Sequence, residues 1–212
     1  MPVVVELFTS QGCSSCPPAD RLLGELAERD DVLPLSFHVT YWDRLGWPDT
    51  FGLENGTRRQ EVYADWLGLD RMYTPQMVIG GRIDVVGSAR GRVLEAINLL
   101  RSHGGPGPEL TIAGDRLSVR AGERDDAAIW LIAFDDHHDV AIERGENRGR
   151  TLRYHQVVRE LTRLADWDGR ALAVELPLAR LAAAGRAGAA ILVQRLSDGV
   201  ILAAAHVPLA QG

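Results

Sequence analysis

The stretch Val3–Val4–Val5–Glu6–Leu7–Phe8–Thr9–Ser10–Gln11–Gly12–Cys13–Ser14–Ser15–Cys16–Pro17–Pro18–Ala19–Asp20 decides how this chain is read. Residues 3–8 are apolar except for Glu6, which predicts a buried strand. Past the prolines, Ala19, Leu22, Leu23, Leu26 and Ala27 recur at helical spacing and predict an amphipathic helix over residues 16–29. Pro17 and Pro18 fit only its first turn, where a missing N–H has no helical partner to lose, and Ser14 or Ser15 is the expected cap. Between strand and helix stand Cys13 and Cys16, the only two cysteines of the chain. Strand, Cys-x-x-Cys loop, helix is the layout that thiol–disulfide exchange needs. The helix N-terminus offers free N–H groups and a positive dipole end to a thiolate at Cys13. Cys16 is close enough to attack a mixed disulfide and release the product.

Outward from this motif, residues 33–39 read as a second strand. Residues 41–73 form a polar and aromatic excursion holding Trp42, Trp47, Tyr63, Trp66 and Tyr73, with a helix expected over 57–67. Met77–Val78–Ile79, the pair Gly80–Gly81 and the run 82–87 carry a β-hairpin signature, and a helix follows over 88–101. The segment Ser102–His103–Gly104–Gly105–Pro106–Gly107–Pro108 breaks every regular pattern, so a domain boundary is expected there, between 1–103 and 108–212. Beyond it lie candidate strands at 109–113, 116–120, 127–135, 139–144, 170–177, 189–196 and 200–207, with tight turns at Asp115 and Ser197–Asp198–Gly199. Residues 151–165 fit strand or helix. The expected architecture is an α/β N-terminal domain with a helical insertion, followed by a mostly β C-terminal domain of sandwich or barrel type.

The chain has 212 residues, 46% apolar and 25% charged, as a globular protein does. Its formal net charge of −6 argues against nucleic acid as a partner, and no apolar stretch reaches the roughly 20 residues of a membrane span. All its side-chain positive charge apart from histidine is arginine, so no lysine is present to form a Schiff base. As written, the chain enters a strand-like run directly after Met1–Pro2, so a cytoplasmic location is expected, or a periplasmic or secreted one if a leader has been removed.

Thr74–Pro75, just before the predicted hairpin, adds to the motif. The first half thereby resembles the thioredoxin fold, in which a cis-proline precedes the third strand and packs against the Cys-x-x-Cys loop. The resemblance implies a substrate-docking role for Thr74 and Pro75, and a buried carboxylate serving the second cysteine, for which Glu6 is the nearest residue although its spacing is off by one. Strand alternation offers solvent as the other destination for Glu6. The run from Val4 to Asp20, with Phe37–His38–Val39–Thr40–Tyr41–Trp42–Asp43, Tyr73–Thr74–Pro75–Gln76 and Arg144–Gly145–Glu146–Asn147–Arg148–Gly149, is similar to an uncharacterised bacterial family of thioredoxin-like fold, many of whose members are described as secreted. That likeness covers nearly the whole chain and brings no substrate with it. Gly12 in place of tryptophan, and Ser14–Ser15 in place of Gly–Pro, separate the chain from ordinary thioredoxins, so the direction of electron flow stays open over the range of about −270 to −120 mV.

The reading that results is a thiol–disulfide oxidoreductase using Cys13 and Cys16 on a protein or small-molecule disulfide, with no dissociable cofactor and no resident metal. One rival is a soft-metal protein holding copper or zinc through the same cysteines, although a closed zinc site needs about four ligands and histidines would have to supply the rest. Another is a non-catalytic binding module on a thioredoxin fold. Asp135–Asp136–His137–His138–Asp139 reads better as a solvated hairpin turn than as a metal site. Tyr41 and Trp42, with Trp47, Trp66 and Tyr73, read equally as a substrate groove or as the small core of the excursion. Glu146, Asn147 and Arg148 fit either a second site or a charged surface turn, and Tyr154, His155 and Arg159 are candidates for polar contacts between the domains. Neither a phosphate-binding loop nor a serine-hydrolase elbow is present.

Overall fold

In the computed structural model, which describes residues 1–103, 105 and 107–209, eight strands form one mixed sheet and three form a second. Val3–Thr9 is β1 and Pro17–Ala27 is α1. β1 is covered on both faces, Val3, Val5 and Leu7 against one core and Val4 and Phe8 against another, which is why its sequence shows no polar alternation. The chain returns as β2 (Val32–His38), parallel to β1, with α1 as the crossover that a parallel pair requires. A single 3-10 turn at Asp43–Leu45 and α2 (Glu54–Leu67) form the excursion. β3 (Gln76–Ile79) pairs antiparallel with β1, β4 (Ile83–Val86) folds back on β3, and α3 (Arg90–His103) follows.

Gly104 and Pro106 of the expected break, and residues 210–212, lie outside the described residues. β5 (Leu110–Ala113), β6 (Arg116–Val119) and β9 (Leu172–Glu175) make the three-stranded sheet, in the order β5-β6-β9. β7 (Ala127–Ala141), β8 (Thr151–Trp167), β10 (Gly188–Arg195) and β11 (Ile201–Pro208) extend the large sheet, whose order is β11-β10-β7-β8-β2-β1-β3-β4. Strands from both sides of the break therefore share one sheet, joined where Ser36 of β2 lies opposite Val157 of β8. α4 (Leu178–Ala183) has no counterpart among the expected elements, because six residues are too few to show a helical period.

α1 and α3 cover one face of the β1 region, and α2 covers the other. In the second half Ala190 and Leu192 face the same core as α2, whereas Ile191 and Val193 meet Leu117 and Val119 of the small sheet and Leu181 of α4. Gly24 permits β8 to lie directly on α1, since a Cβ there would stand 2.6 Å from the His155 ring.

Two local expectations change. No turn interrupts Asp135–Asp139: β7 runs through it, with His137 opposite His155 and Asp139 opposite Arg153. This outer part of the hairpin is polar yet extended because it projects past the core and is held by pairs such as Arg153 Nε to Asp139 Oδ1 at 2.8 Å. The ambiguous stretch 151–165 is strand. Register shifts between Ile129 and Trp130 and between Ala133 and Phe134, and a left-handed backbone at Gln156 (φ 50°), interrupt the period of two that would have identified it.

Candidate functional site

The loop after β1 and the first turn of α1 bring Cys13 and Cys16 together as a disulfide. Cys16 itself caps α1, and neither serine does. The prolines at the first helical positions leave no N–H for a serine to accept from, and the next two, from Ala19 and Asp20, donate to Cys16 O at 2.8 and 3.1 Å. Ser14 and Ser15 are exposed, but both cysteines are fully buried.

The tip of the β7–β8 hairpin supplies the cover. Asn147 is fully buried, and its Nδ2 donates to Gln11 O at 3.0 Å and to Cys13 O at 2.9 Å. Ser14 N donates to Glu146 Oε2 at 3.2 Å. Of Glu146–Asn147–Arg148, Asn147 and Glu146 bond to the cysteine loop, whereas Arg148 is exposed on a turn closed by its N–H donating to Gly145 O at 3.2 Å, as the surface-turn reading expects.

The excursion holds the same loop from another side. Gln11 N donates to Asp49 Oδ2 at 2.7 Å, and the Gln11 side chain joins Thr50 Oγ1 and Trp47 Nε1, each at 2.8 Å. Trp42 lies over Gly12, where a Cβ would stand 3.3 Å from Trp42 Cβ, and its Nε1 donates to Thr74 Oγ1 at 2.8 Å. The Thr74–Pro75 bond is cis. Pro75 O accepts from Gly87 N at 2.9 Å, and Gly87 packs close to both Pro75 and Ala19 of α1. Trp42, Thr74 and Pro75 are thus gathered around the start of α1. The other aromatic residues disperse. Tyr41 packs with Trp42 against the core under α2, Tyr63 and Trp66 meet edge to face, and the Tyr73 hydroxyl donates to Asp84.

Glu6 points neither to solvent nor to α1. It is fully buried on the α2 face, where Arg59 Nε donates to Oε1 at 2.5 Å, Arg59 Nη2 to Oε2 at 3.1 Å, and the Tyr63 hydroxyl also donates to Oε2. Burial raises the Tyr63 hydroxyl well above the usual phenol range. The buried carboxylate next to the cysteines is Asp20, one helical turn beyond Cys16 and 4% exposed. Thr9 Oγ1 donates to its Oδ1 at 2.7 Å, and its Oδ2 has no partner among the described residues. Burial pushes its carboxyl up to about 7, against the pull of the Thr9 hydrogen bond and the nearby His38. His38 Nδ1 meets Asp49 Oδ2 at 2.8 Å, and its ring stands 4.8 Å from that of Tyr154. Burial acts upward on Asp49, but His38 and hydrogen bonds from Gln11 N and Phe51 N bring its carboxyl below the usual range. Burial and the charges of Asp20 and Asp49 raise the Tyr154 hydroxyl. His38 Nε2 and the Tyr154 hydroxyl, like Asp20 Oδ2, are buried without a partner among the described residues.

Sequence reasoning missed Asp20, Gln11 and the His38–Asp49 pair. Asp20 carried a signal, an acid on the apolar stripe of α1, whereas the others are defined only by contacts with the excursion. Among the described residues, no group of three or more His, Cys, Asp and Glu is placed to hold a metal ion, and no helix is long and apolar enough to cross a membrane. A cavity of about 940 Å3 lies between Met1–Val4 and β11, and neither cysteine lines it.

Two solved structures are similar to the whole chain. Protein AGR_C_4864 from Agrobacterium tumefaciens is 32% identical, with a TM-score of 0.84 over 99% of this chain and 95% of that one. HBP35 of Porphyromonas gingivalis is 12% identical, with a TM-score of 0.60 over 98% of this chain and 75% of that one, which is a likeness of fold. No curated protein matches. A family model described as "Protein of unknown function (DUF1223)" matches residues 4–194, and the chain belongs to that family.

Proposed function

We propose that the protein exchanges thiols and disulfides through Cys13 and Cys16, on a thioredoxin-like N-terminal region of residues 1–103, and that the mostly β region of residues 108–212 controls access to the pair. The observation that carries the reading is the disulfide itself, set between β1 and α1, with a buried carboxylate oxygen one turn away that has no partner among the described residues. In the reduced protein, the Cys13 thiolate attacks a substrate disulfide. One substrate sulfur leaves as a thiolate and the other stays bonded to Cys13. Cys16 gives its proton to Asp20, attacks Cys13 Sγ and releases the second substrate thiolate, so that the substrate disulfide is reduced and the Cys13–Cys16 pair oxidised. Asp20 is better suited to this proton than Glu6, because Arg59 and Tyr63 already occupy both Glu6 oxygens. Thr74 and Pro75 form the docking edge for the substrate backbone, with Trp42 beside them. The substrate is a protein or small-molecule disulfide, and exchange requires the hairpin tip around Asn147 to lift, since Cys13 is fully buried.

Equilibration with graded reduced and oxidised glutathione, with the pair quantified by mass, tests the reading. A reversible transition is expected, Cys13→Ser abolishes turnover, and Cys16→Ser traps a mixed disulfide. Complete burial of both cysteines favours a second reading, an inert structural disulfide in a binding module. A pair locked in one state across the series decides for that second reading.

A further inference from the structure

The start of α1 leaves Cys13 Sγ without the amide donors that a helix end ordinarily offers. Pro17 and Pro18 have no N–H, Cys16 N donates to Cys13 O at 3.2 Å, and the amides of Ala19 and Asp20 donate to Cys16 O. Other donors on this loop are engaged as well. Gly12 N donates to Ser10 Oγ, Cys13 N to Ser10 O and Ser14 N to Glu146 Oε2. The Asn147 amide donates to Gln11 O and Cys13 O, and the Trp42 indole to Thr74 Oγ1. Among the described residues, the donor that reaches the sulfur is the Ser15 hydroxyl. Its Oγ lies 3.4 Å from Cys13 Sγ and has no other hydrogen-bond partner among those residues. A disulfide sulfur carries no hydrogen, so the hydroxyl donates. The turn at Ser14–Ser15, closed by the bond from Cys16 N to Cys13 O, brings the Ser15 side chain back to Cys13.

That hydroxyl gains weight when the sulfur becomes charged. Two thiols break the Cys13–Cys16 bond, are themselves oxidised to a disulfide, and leave both cysteines as thiols. Cys13 then loses its proton to water and becomes the thiolate that attacks in the opposite direction. A hydrogen bond to that anion is charge-assisted and stronger than one to a disulfide sulfur. The charged and titratable groups around the loop are Cys16 and Asp20 of α1, Glu146 and Arg150 at the hairpin tip, and the His38–Asp49 pair behind Gln11. Apart from Cys16, to which it is bonded in the disulfide, none of these has Cys13 Sγ as a partner among the described residues.

We propose that Ser15 is a catalytic residue of the exchange reaction, its hydroxyl donating to the Cys13 thiolate where the helix amides do not, so that it favours the reduced form of the pair. The inference rests on the thiol–disulfide reading above. The test uses the full chain labelled with 13C at the cysteine Cβ, reduced with a phosphine, and follows the Cys13 signal against pH. The chain has two cysteines, so Cys13→Ser assigns the signal. Ser15→Ala is expected to raise its midpoint by about one pH unit, ~tenfold in the proton equilibrium. Ser15→Thr, which keeps the hydroxyl, restores the parent midpoint, and Ser14→Ala leaves it in place. Burial raises the Asp20 carboxyl to about 7, and this titration is common to every variant, so the difference between variants is what is read. In graded glutathione the same loss tilts Ser15→Ala toward the disulfide by up to about tenfold above the thiol midpoints and not below them, whereas a merely structural loss acts alike at every pH. A midpoint that Ser15→Ala leaves unmoved, or that Ser14→Ala raises equally, overturns the role of Ser15 even where the glutathione transition is reversible. A pair locked against glutathione in the parent chain overturns the exchange reading beneath it.

Discussion

Asp20 is the residue where the chemistry of the site and the stability of the fold meet. Its carboxyl is raised from 3.8 to about 7 by burial, so the folded chain keeps a proton that the unfolded chain has already released. Below about pH 4 both states are protonated and Asp20 costs nothing. Between there and pH 7 the unfolded state is progressively favoured, and above pH 7 the loss levels off at about 4 kcal/mol. Asp20→Asn removes this dependence. The difference in unfolding free energy between the parent and Asp20→Asn should therefore move by several kcal/mol in favour of the variant from pH 4 to pH 8, and parallel curves in a urea series would count against a buried, proton-holding Asp20. The residue was legible in one respect, since positions 16, 19, 20, 23 and 27 share a stripe on which only one acid stands. Its partner Thr9 was not, because nothing local tells which strand residue faces that stripe. Glu6 was legible only as an exception in an apolar run, because its partners Arg59 and Tyr63 lie more than 50 positions away (|i−j| 53 and 57). Arg59→Met is expected to cost about 3–5 kcal/mol in thermal or urea unfolding, because it leaves the Glu6 carboxylate buried without its cation.

Among the elements, the β7–β8 hairpin reaches the cysteine loop through Asn147 and Glu146. Asn147→Ala strips two hydrogen bonds from carbonyls of the cysteine loop and should cost about 1–3 kcal/mol. It should also speed reduction of the disulfide by dithiothreitol several-fold, measured by mass against time. An unchanged rate would show that the hairpin tip does not limit entry. β1, α1, β2 and the β3–β4 hairpin were readable because each is short and strongly patterned, with Pro2, Pro17–Pro18 and Gly80–Gly81 marking the limits of β1, α1 and the hairpin turn. The long hairpin was not, because its bulges and the turn of backbone at Gln156 exchange its inner and outer faces midway, and its outer half is held by Arg–Asp pairs without a core.

At the scale of the molecule, the large sheet runs across the break at residues 102–108. Composition marks that break clearly, but no pattern within either half announces that β8 will lie beside β2, since the two meet at a single pair, Ser36 with Val157. Residues 1–103 expressed alone would lose β8 from the edge of β2 and Asn147 from the cysteine loop. They are expected to unfold at lower denaturant than the intact chain, and their disulfide to be reduced faster. Equal midpoints would show that the first half stands by itself. The distance in sequence between the disulfide and its cover also has a consequence in time. Cys13 and Asn147 are 134 positions apart, so a ribosome adding about 5–20 residues per second delivers the cover on the order of ten seconds after the cysteines. Throughout that interval the nascent pair meets the surrounding thiols and oxidants without the Asn147 contacts that the finished fold places on its loop.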